Sequence, residues 1–540
     1  MKKVIWGAGY TGSKLLHSLG SENVAFFIDS NPSKQGIHLG KSVLLPENVT
    51  EWNDLFVYVP FNYYEDIFRI LSQKGLKEHI NFEKYGNIFQ ISSKRAELEM
   101  EHAMKDIECI AEVWKNEVLC FTSQFLPGVG CLKFINAMKG NAFDFHLVSE
   151  AYWMDYQEIK SRTHTDYFLT VPSLWELHSF VPDGRLDSVE KTELEQRQYL
   201  IEIAEQVKEI FYFINEEACC YIVYYNYRYI NNLIERVQPK QIIYSSGVKP
   251  SGRIVSQICK AKGIPLITSH PGIIPGTLSY DVGGEMGESL PAIYSTRFMG
   301  LRVNENDLKH TNESWQYLYK SKLNRKVQPA KKNFEFIKRQ MSKGKPVIFF
   351  AAQNDPDSHM VPYTEITRKY HSPVFHSSIE CGIFLAELCE QNGWNFIFKL
   401  HPLYVREEWK NMLPSNTVYI ESCNINDLID FADVTVTILS ATSYNALIRY
   451  KPVVMLGYTQ LRGKGCTYEA FDKDKIEDAI KAALENGFTQ EQQDAFLLHM
   501  AQCLKYYLYD DLQERPIRYG RPVPKSMDEF YELERLLKVQ

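Results

Sequence analysis

The stretch "TILSATSYNALIRYKPVVMLG", residues 437–457, predicts a strand, a short helix and a second strand in immediate succession. Its apolar ends have the composition of buried parallel strands, and hydroxylated residues crowd the point where the helix begins. A helix cap explains one such hydroxyl, whereas three also suit an anion held by the free N–H groups of a helix start. We therefore predict that Ser440, Ala441, Thr442 and Ser443 hold a phosphate group, and a simple cap is the alternative.

Length and composition limit the number of domains and the class of protein. A chain of 540 residues is too long for one hydrophobic core and predicts two to four domains. A net charge of −7 argues against nonspecific nucleic-acid binding, which needs a basic face. No apolar run approaches the roughly 20 residues that span a bilayer. Eleven scattered cysteines without a C-x-x-C pair predict a reduced, cytoplasmic protein without structural zinc.

Alternating strand and helix patterns recur three times along the chain. Such alternation predicts an α/β protein with open parallel sheets, which bind ligands at the carboxyl ends of their strands. Two such sheets that face each other form a cleft suited to a donor and an acceptor. The predicted division is a Rossmann-like domain at 1–91, a linker helix at 92–117, an acceptor-side domain at 118–335, a donor-side domain at 336–505 and a helical segment at 506–540.

A glycine-rich turn, "GAGYTG", follows the first predicted strand directly. Gly7, Gly9 and Gly12 permit a tight turn and the close approach of a phosphate to the helix start, and Asp29 ends the next strand, where a carboxylate can bind a ribose hydroxyl. The alternatives are a turn kept for packing and a dinucleotide oxidoreductase. Together with "FFIDSNPSKQGIHLGKSVLLPE", this segment resembles the sugar-nucleotide-binding domain of bacterial sugar acyltransferases, which implies a nucleotide or nucleotide-sugar ligand.

Further polar residues follow the strands of the last predicted sheet. "FIFKLHP" ends in Lys399 and His401, a cation and an imidazole that can neutralise or donate to a phosphate. Asn445 lies one turn into the helix of the opening stretch, within reach of a ribose. Arg462 and Lys464 lie in the basic, glycine-containing loop that follows the next strand.

The order "QNDPDS", "KLHP", "SATSYNAL" and "KPVVMLG" resembles the capsule polysaccharide synthesis family, which comprises GT-B glycosyltransferases of bacterial surface polysaccharides. The resemblance covers roughly residues 345–470, with weaker support from residue 240 onward. It implies that Gln353 and Asp355 contribute to the donor site and that the donor is an activated sugar, often a cytidylate-linked acid sugar. The chain carries Asn445 where the family usually has Glu.

The acceptor side is read from "TSHPGIIPGTLSYDVGGEMGESLP", residues 268–291, which follows a strand and should line the cleft. His270, Asp281, Glu285 and Glu288 are candidate bases for the acceptor hydroxyl, although a solvated loop explains most of them equally well. We select His270, Asp281 and Glu285 as catalytic, together with His401.

These observations predict an α/β fold with a small Rossmann-like domain ahead of a GT-B pair. The predicted function is transfer of a sugar from a nucleotide-activated donor to a growing capsular-type polysaccharide. The alternatives are a polyol-phosphate transferase of the teichoic-acid type and a non-catalytic regulator that binds nucleotide sugars.

We expect that the protein requires no metal and no cofactor. Expected partners are the donor, a saccharide or lipid-linked acceptor, and peripheral membrane or polysaccharide-assembly components, with no nucleic acid. The expected location is the cytoplasm or the inner face of the membrane.

Overall fold

Three β-sheets organise the part of the chain that the structure, a computed structural model, describes. Helices connect most of the strands, as the alternating sequence pattern predicts. Among the described residues no helix is long and apolar enough to cross a membrane. The described residues are 1–59, 64–84, 104–105, 107–122, 134–135, 137–138, 145–149, 168–170, 185–210, 215–324, 334–402, 404, 406 and 408–539. Half of the predicted linker helix, residues 92–103 and residue 106, therefore lies outside them.

The first sheet has six strands in the order β3-β4-β2-β1-β5-β6, and every pair except β3–β4 is parallel. The order reverses direction at β1, so the glycine turn that follows β1 lies at the point where a ligand can enter. The elements are β1 (Lys2–Trp6), α1 (Tyr10–Leu19), β2 (Val24–Ile28), β3 (Gly36–His38), β4 (Lys41–Leu44), β5 (Leu55–Val59), α2 (Tyr64–Gln73) and β6 (Phe82–Lys84).

The second sheet has seven strands in the order β19-β12-β11-β10-β7-β8-β9. The five strands from β11 to β9 are parallel, whereas β12 and β19 add antiparallel to one edge. The elements are β7 (Val118–Thr122), β8 (Phe145–Ser149), β9 (Phe168–Thr170), α3 (Ser188–Glu195), α4 (Gln198–Ile210), α5 (Glu216–Val237), β10 (Gln241–Ser245), α6 (Pro250–Lys262), β11 (Leu266–Pro271) and β12 (Thr277–Asp281).

The third sheet has six parallel strands in the order β15-β14-β13-β16-β17-β18. The elements that precede it are α7 (Leu290–Ile293), α8 (Ser295–Met299), α9 (Glu305–Ser321) and α10 (Phe334–Gln340). Those of the sheet are β13 (Val347–Ala351), α11 (Glu365–Tyr370), α12 (Ser378–Asn392), β14 (Asn395–Lys399), α13 (Trp409–Met412), β15 (Thr417–Ile420), α14 (Ile425–Phe431), β16 (Val434–Thr437), α15 (Thr442–Ile448), β17 (Val453–Met455), β18 (Tyr468–Glu469), α16 (Ile476–Asn486), α17 (Gln490–Gln502), β19 (Leu508–Asp510) and α18 (Glu532–Val539).

Two segments pack differently from the predicted domain division. Helix α9 precedes the predicted boundary at residue 336, yet its Trp315 and Leu318 pack in the core under the third sheet, and Trp315 Nε1 donates to the Ile448 carbonyl at 2.9 Å. The segment from residue 506 was expected to be helical, but it returns to the second sheet as β19. The polar, charged surface of α9 hid its apolar stripe, and a three-residue strand is too short to leave a sequence pattern.

The glycine turn of the first sheet offers a matched pair of variants. A Cβ on Gly12 would lie 1.8 Å from the Gly7 carbonyl oxygen, which is backbone, whereas a Cβ on Gly9 would meet only the flexible Lys34 Nζ at 3.1 Å. We predict that Gly12→Ala destabilises the first sheet by about 1–3 kcal/mol because the turn and α1 must separate. Hydrogen exchange of β1 and β2 should be faster in Gly12→Ala and unchanged in Gly9→Ala. Equal protection in both variants would contradict the close approach.

Candidate active site between the second and third sheets

A cleft lies where the carboxyl ends of strands from the second and third sheets meet. Parallel strands end at the same edge, so the loops after β10, β11 and β16 converge there. One wall comes from the β11–β12 hairpin and the turn after it, the other from the opening of α15 and the loop after β17. The lining residues are His270, Pro271, Ile273, Ser279, Glu285, Met286, Leu439, Ser440, Ala441, Ser443, Tyr444, Thr459, Gln460 and Tyr507.

The hydroxyls of the opening stretch bond to one another at the start of α15. Strand β16 ends at Thr437, so Ser440 lies in a loop three residues beyond it. Ser440 Oγ donates to Thr442 Oγ1 at 2.9 Å and accepts the Thr442 N–H at 3.2 Å, while Ser443 Oγ donates to the Ser440 carbonyl at 2.9 Å. Among the hydrogen bonds of the described residues, none uses the N–H of Ser440 or Ala441. Two donors on the cleft wall therefore stay available.

Gln353 fixes the Leu439–Ala441 loop from the buried side of the cleft wall. It follows β13, next to β16, at the point where the strand order reverses. Its Oε1 accepts the Leu439 N–H at 2.9 Å, its side-chain nitrogen contacts the Met360 sulfur, and the residue is buried. Gln353 therefore positions the residue that precedes Ser440 and does not line the cleft itself.

Asp355 was expected at the donor site, but the structure buries it at the start of α12. Its carboxylate accepts the Ser378 N–H at 2.8 Å and the Ser378 hydroxyl at 2.5 Å. Burial raises the pKa of Asp355 to about 7, and these two bonds oppose that rise only in part. The geometry makes Asp355 an anchor for α12 and leaves no carboxylate oxygen directed at the cleft.

His270 and Glu285 face each other on the opposite wall. His270 Nε2 lies 3.5 Å from Glu285 Oε2, and His270 Nδ1 lies 2.8 Å from the Pro271 carbonyl. A carbonyl only accepts, so Nδ1 carries the proton and Nε2 is the basic nitrogen of the neutral ring. Glu285 is fixed in turn, because its Oε1 accepts the Gly247 N–H at 2.6 Å. This arrangement can take a proton at His270 Nε2 and stabilise the imidazolium that results.

Asp281, the third predicted base, has a structural position. It ends β12, so the polar loop expected over residues 268–291 contains a strand instead. Its carboxylate accepts the N–H groups of Gly283 at 2.7 Å and Leu290 at 3.0 Å. Burial raises the pKa of Asp281 to about 7. With both oxygens bound to backbone and 2% of the residue exposed, Asp281 organises the turn that carries Glu285 and does not reach an acceptor.

The three predicted cations lie outside the lining of the cleft. Lys399 Nζ is buried and donates to the Leu400 carbonyl at 3.1 Å, and burial lowers its pKa to about 8. Lys464 Nζ donates to the Pro291 carbonyl at 2.9 Å and to Ser295 Oγ at 2.7 Å, and burial lowers its pKa to about 8 as well. Arg462 is exposed and stacks 3.7 Å from the centre of the Tyr458 ring.

Three other predicted residues also lie outside that lining. His401 is half-buried just beyond β14 and forms an isolated bridge with Tyr404. Asn445 was expected to face a ribose, but its Nδ2 donates to Asn324 Oδ1 at 2.9 Å. Thr442 contacts Ser440 but is not itself part of the wall. His401 was assigned to the donor site from its position at a strand end, and Thr442 and Asn445 from their positions at the start of α15. Position alone does not fix where a side chain points.

The glycine turn of the first sheet has the geometry that its sequence predicts. Gly7 N–H donates to the Ile28 carbonyl at 2.6 Å, and the Ala8 N–H donates to Asp29 Oδ2 at 2.8 Å. Lys34 Nζ lies 3.2 Å from the same carboxylate oxygen. Asp29 is therefore beside the turn, as a ribose contact requires, while it also fastens the turn to β2. Whether a nucleotide binds there is a separate, untested prediction.

Sequence reasoning missed the cleft residues that come from far along the chain. Thr459 and Gln460 follow β17, and Tyr507 directly precedes β19. Tyr507 is buried, and its hydroxyl hydrogen-bonds Asp281. The sequence "GYTQLRGKG" was read for its basic residues, although the polar Thr459 and Gln460 lie closer to the strand end. Nothing in the sequence near Tyr507 signals that it returns to the second sheet.

The raised pKa of Asp355 predicts a pH-dependent stability. An unfolded carboxyl has a pKa near 3.8, so between about pH 4 and 7 the folded state binds the extra proton and the free energy of unfolding falls as pH rises. The Asp355 carboxyl changes the free energy of unfolding by at most about 1.4 kcal/mol per pH unit in that window. Asp355→Asn resembles the protonated carboxyl, and we predict that it stabilises the protein relative to the parent chain by an amount that grows from about pH 4 to pH 7 and is constant above pH 7.

Denaturant unfolding of both proteins across this range measures the difference directly. The comparison with the parent chain is needed because buried His359 and His499, whose pKa values burial lowers, act in the opposite direction. Exposed Asp474→Asn is the control and should give no such trend. A constant difference between Asp355→Asn and the parent chain would show that Asp355 is ionised throughout.

Comparison with known proteins finds distantly similar solved structures and one family model. Among solved structures, the chain is similar to the beta Kdo 2,7 transferase of Thermosulfurimonas dismutans KpsC at 15% identity, with 55% of this chain and 85% of that chain covered and a TM-score of 0.32. The beta Kdo 2,4 transferase of the same protein gives 15% identity, coverages of 50% and 80%, and a TM-score of 0.35. The calicheamicin glycosyltransferase CalG4 gives 11% identity, coverages of 72% and 96%, and a TM-score of 0.27.

No curated protein sequence matches the chain. The solved structures are distant, so the assignment depends on the family model described as "Capsule polysaccharide biosynthesis protein", which matches residues 306–502. That match begins in α9, the helix that packs under the third sheet, and ends with α17. The resemblance predicted for residues 345–470 is confirmed, because the family model matches the third sheet and its flanking helices.

Proposed function

We propose that the chain is a glycosyltransferase that moves a sugar from a nucleotide-activated donor to a growing capsular-type polysaccharide. The family match over residues 306–502 supports a role in capsule synthesis. The observation that carries the proposal is the cleft that combines the His270–Glu285 pair of one sheet with the Ser440 loop of the other. Transfer needs an acceptor base close to a donor phosphate site, and the residues of this cleft are suited to both roles.

The acceptor step follows from the geometry of His270. An acceptor hydroxyl that approaches Nε2 gives up its proton there while its oxygen forms the new bond to the anomeric carbon. The bond between that carbon and the donor phosphate breaks, and its electron pair leaves with the nucleotide. Glu285 Oε2, 3.5 Å from Nε2, stabilises the imidazolium. Asp281 keeps the turn that carries Glu285 in place through Gly283 and Leu290.

In this proposal the donor phosphate binds at the start of α15. The N–H groups of Ser440 and Ala441 lie on that wall and can donate to an anionic oxygen. The Ser440 hydroxyl, which donates to Thr442 Oγ1 in the structure, can turn its one proton to that oxygen instead. Gln353 keeps the loop in register through Leu439. In this proposal the leaving phosphate is stabilised by fixed backbone dipoles, so the transfer step itself draws on no cofactor.

The location and the first sheet complete the proposal. All ten described cysteines are free thiols, which fits a reducing compartment, and we propose that the protein acts in the cytoplasm or at the inner face of the membrane. We also propose that the Gly7–Gly12 turn with Asp29 binds a nucleotide or nucleotide sugar without redox chemistry.

A donor screen over nucleotide sugars and nucleotide polyols tests the proposed glycosyl transfer. Turnover of a nucleotide polyol would favour polyol-phosphate transfer, and binding without turnover of any donor would favour a regulator.

Ser440 and Thr442 distinguish a phosphate site from a helix cap. Both Ser440→Ala and Thr442→Ala remove the hydrogen bond between the two hydroxyls, but only Ser440 lines the cleft. We predict that Ser440→Ala raises the Michaelis constant of the donor about ten- to a hundred-fold, which is the value of one hydrogen bond to a charged oxygen. Thr442→Ala should leave it unchanged. Steady-state kinetics with varied donor give the comparison, and normal donor kinetics in both variants would reduce the stretch to a cap.

His270→Gln tests the proposed base. Loss of a general base costs about 10²- to 10⁴-fold in turnover, and we predict a fall of this size with little change in melting temperature. The residual activity should also lose the acidic limb of the pH profile that the imidazole produces. His310→Gln, on the exposed surface of α9, is the control and should keep full activity. Retention of the parent rate and pH profile by His270→Gln would assign the proton transfer to another group.

A further inference from the structure

Three side chains outside the cleft lining converge where the second and third sheets meet. They are Glu288, in the turn that leaves the β11–β12 hairpin, His359, directly after the turn at Pro356–Ser358, and His371, directly after α11. One ligand atom from each lies within 4.8 Å of the others. His359 Nδ1 is 3.5 Å and His371 Nε2 is 3.3 Å from Glu288 Oε2.

One of the three groups, His371, is fully buried without a hydrogen bond that would explain its burial. His371 is 0% exposed, and neither of its ring nitrogens makes a hydrogen bond within the described part of the chain, although Nε2 is close to Glu288. Buried polar atoms are almost always satisfied, so the unbonded Nε2 of His371, which faces Glu288 Oε2, indicates a missing partner. His359 has a left-handed backbone with φ 57°, and such strain concentrates at binding sites.

From this geometry we infer that Glu288, His359 and His371 bind a divalent transition-metal ion of the zinc class. Two imidazoles and one carboxylate with an open fourth position are a common protein ligand set for zinc. Ligand atoms at about 2.1 Å from a tetrahedral ion are about 3.4 Å apart, which is close to both distances measured from Glu288. The proposal departs from the expectation of a metal-free protein that the scattered cysteines suggested.

The surrounding residues fit this assignment. Arg253 is the cation that faces the cluster, and Glu202 pairs with it at 3.3 Å. The two carboxylates, Glu202 and Glu288, outnumber this one guanidinium, so the cluster keeps a net negative charge that favours a bound cation.

The backbone around the ligands is held in place without any ion. A Cβ on Gly287 would lie 1.6 Å from the Tyr370 carbonyl oxygen, so the turn that carries Glu288 packs directly on the end of α11. His371 N–H donates to the Thr367 carbonyl at 2.8 Å, and its own carbonyl accepts the Tyr458 N–H at 2.7 Å. A bound ion would therefore join a turn of the second sheet to two turns of the third. Glu288 is three residues from Glu285, so the ion would act as a positioning element for the acceptor wall.

Metal binding by the full-length chain tests this inference. We expect chelator-treated protein to take up one Zn²⁺ per chain with a dissociation constant below about 1 μM. Co²⁺ should bind at the same site and give visible d–d absorption, and Zn²⁺ should raise the melting temperature. Glu288→Gln and His359→Ala should each weaken Zn²⁺ binding at least about ten-fold and abolish the thermal shift. His371→Ala is the third variant. His371 is fully buried, so this variant can fail to fold, and Glu288→Gln and His359→Ala then still test the site.

His376→Ala is the matched control, because His376 is exposed and stacks on Tyr363 outside the cluster. It should bind Zn²⁺ as the parent chain does. No uptake tighter than about 1 μM by the parent chain, or unchanged uptake by Glu288→Gln and His359→Ala, would overturn the proposal. None of these readouts uses glycosyl transfer, so the metal site can be refuted or supported independently of the proposed function.

Discussion

The buried amide of Gln206 joins the two halves of the cleft. Its Nε2 donates to the Val248 carbonyl at 3.0 Å, in the loop after β10, and to the Pro356 carbonyl at 2.6 Å, in the turn after β13. Its Oε1 accepts from Arg253 at 3.1 Å, so the whole amide is satisfied at 0% exposure. An unpaired amide there would cost about 1–3 kcal/mol, so the two sheets keep one relative position. The ligand edges of both sheets therefore face each other across a single space.

This constraint explains why so many polar residues near the cleft are structural. Gln353 and Asp355 follow β13 but secure Leu439 and Ser378. Asp281 secures the turn below Glu285, and Arg406 pairs with Glu209 across the two sheets. Such residues fix the walls, while few side chains are left to contact a ligand. A preorganised site needs such supporting residues, because its reactive groups must not move when charge develops in the transition state.

The sequence predicted the three-sheet α/β fold because each strand is a continuous apolar run that a polar or glycine turn ends. It also predicted that His270, Glu285, Ser440 and Ser443 lie near one cleft. It could not place Lys399, Arg462 and Lys464, since a strand end fixes the backbone of a cation but not the direction of its side chain. It missed Gln206 and Tyr507, whose roles come from contacts across many residues of sequence. The His359–His371–Glu288 cluster has no motif spacing and becomes visible only in three dimensions.

The central claim is that the cleft between the second and third sheets binds an activated donor beside an acceptor base. A crystal structure of the full chain with the nucleotide of a turned-over donor tests this most directly. The account predicts that a phosphate oxygen lies within hydrogen-bond distance of the N–H groups of Ser440 or Ala441, on the wall opposite His270. A nucleotide found only at the glycine turn of the first sheet, or with its phosphate away from this loop, would contradict the account.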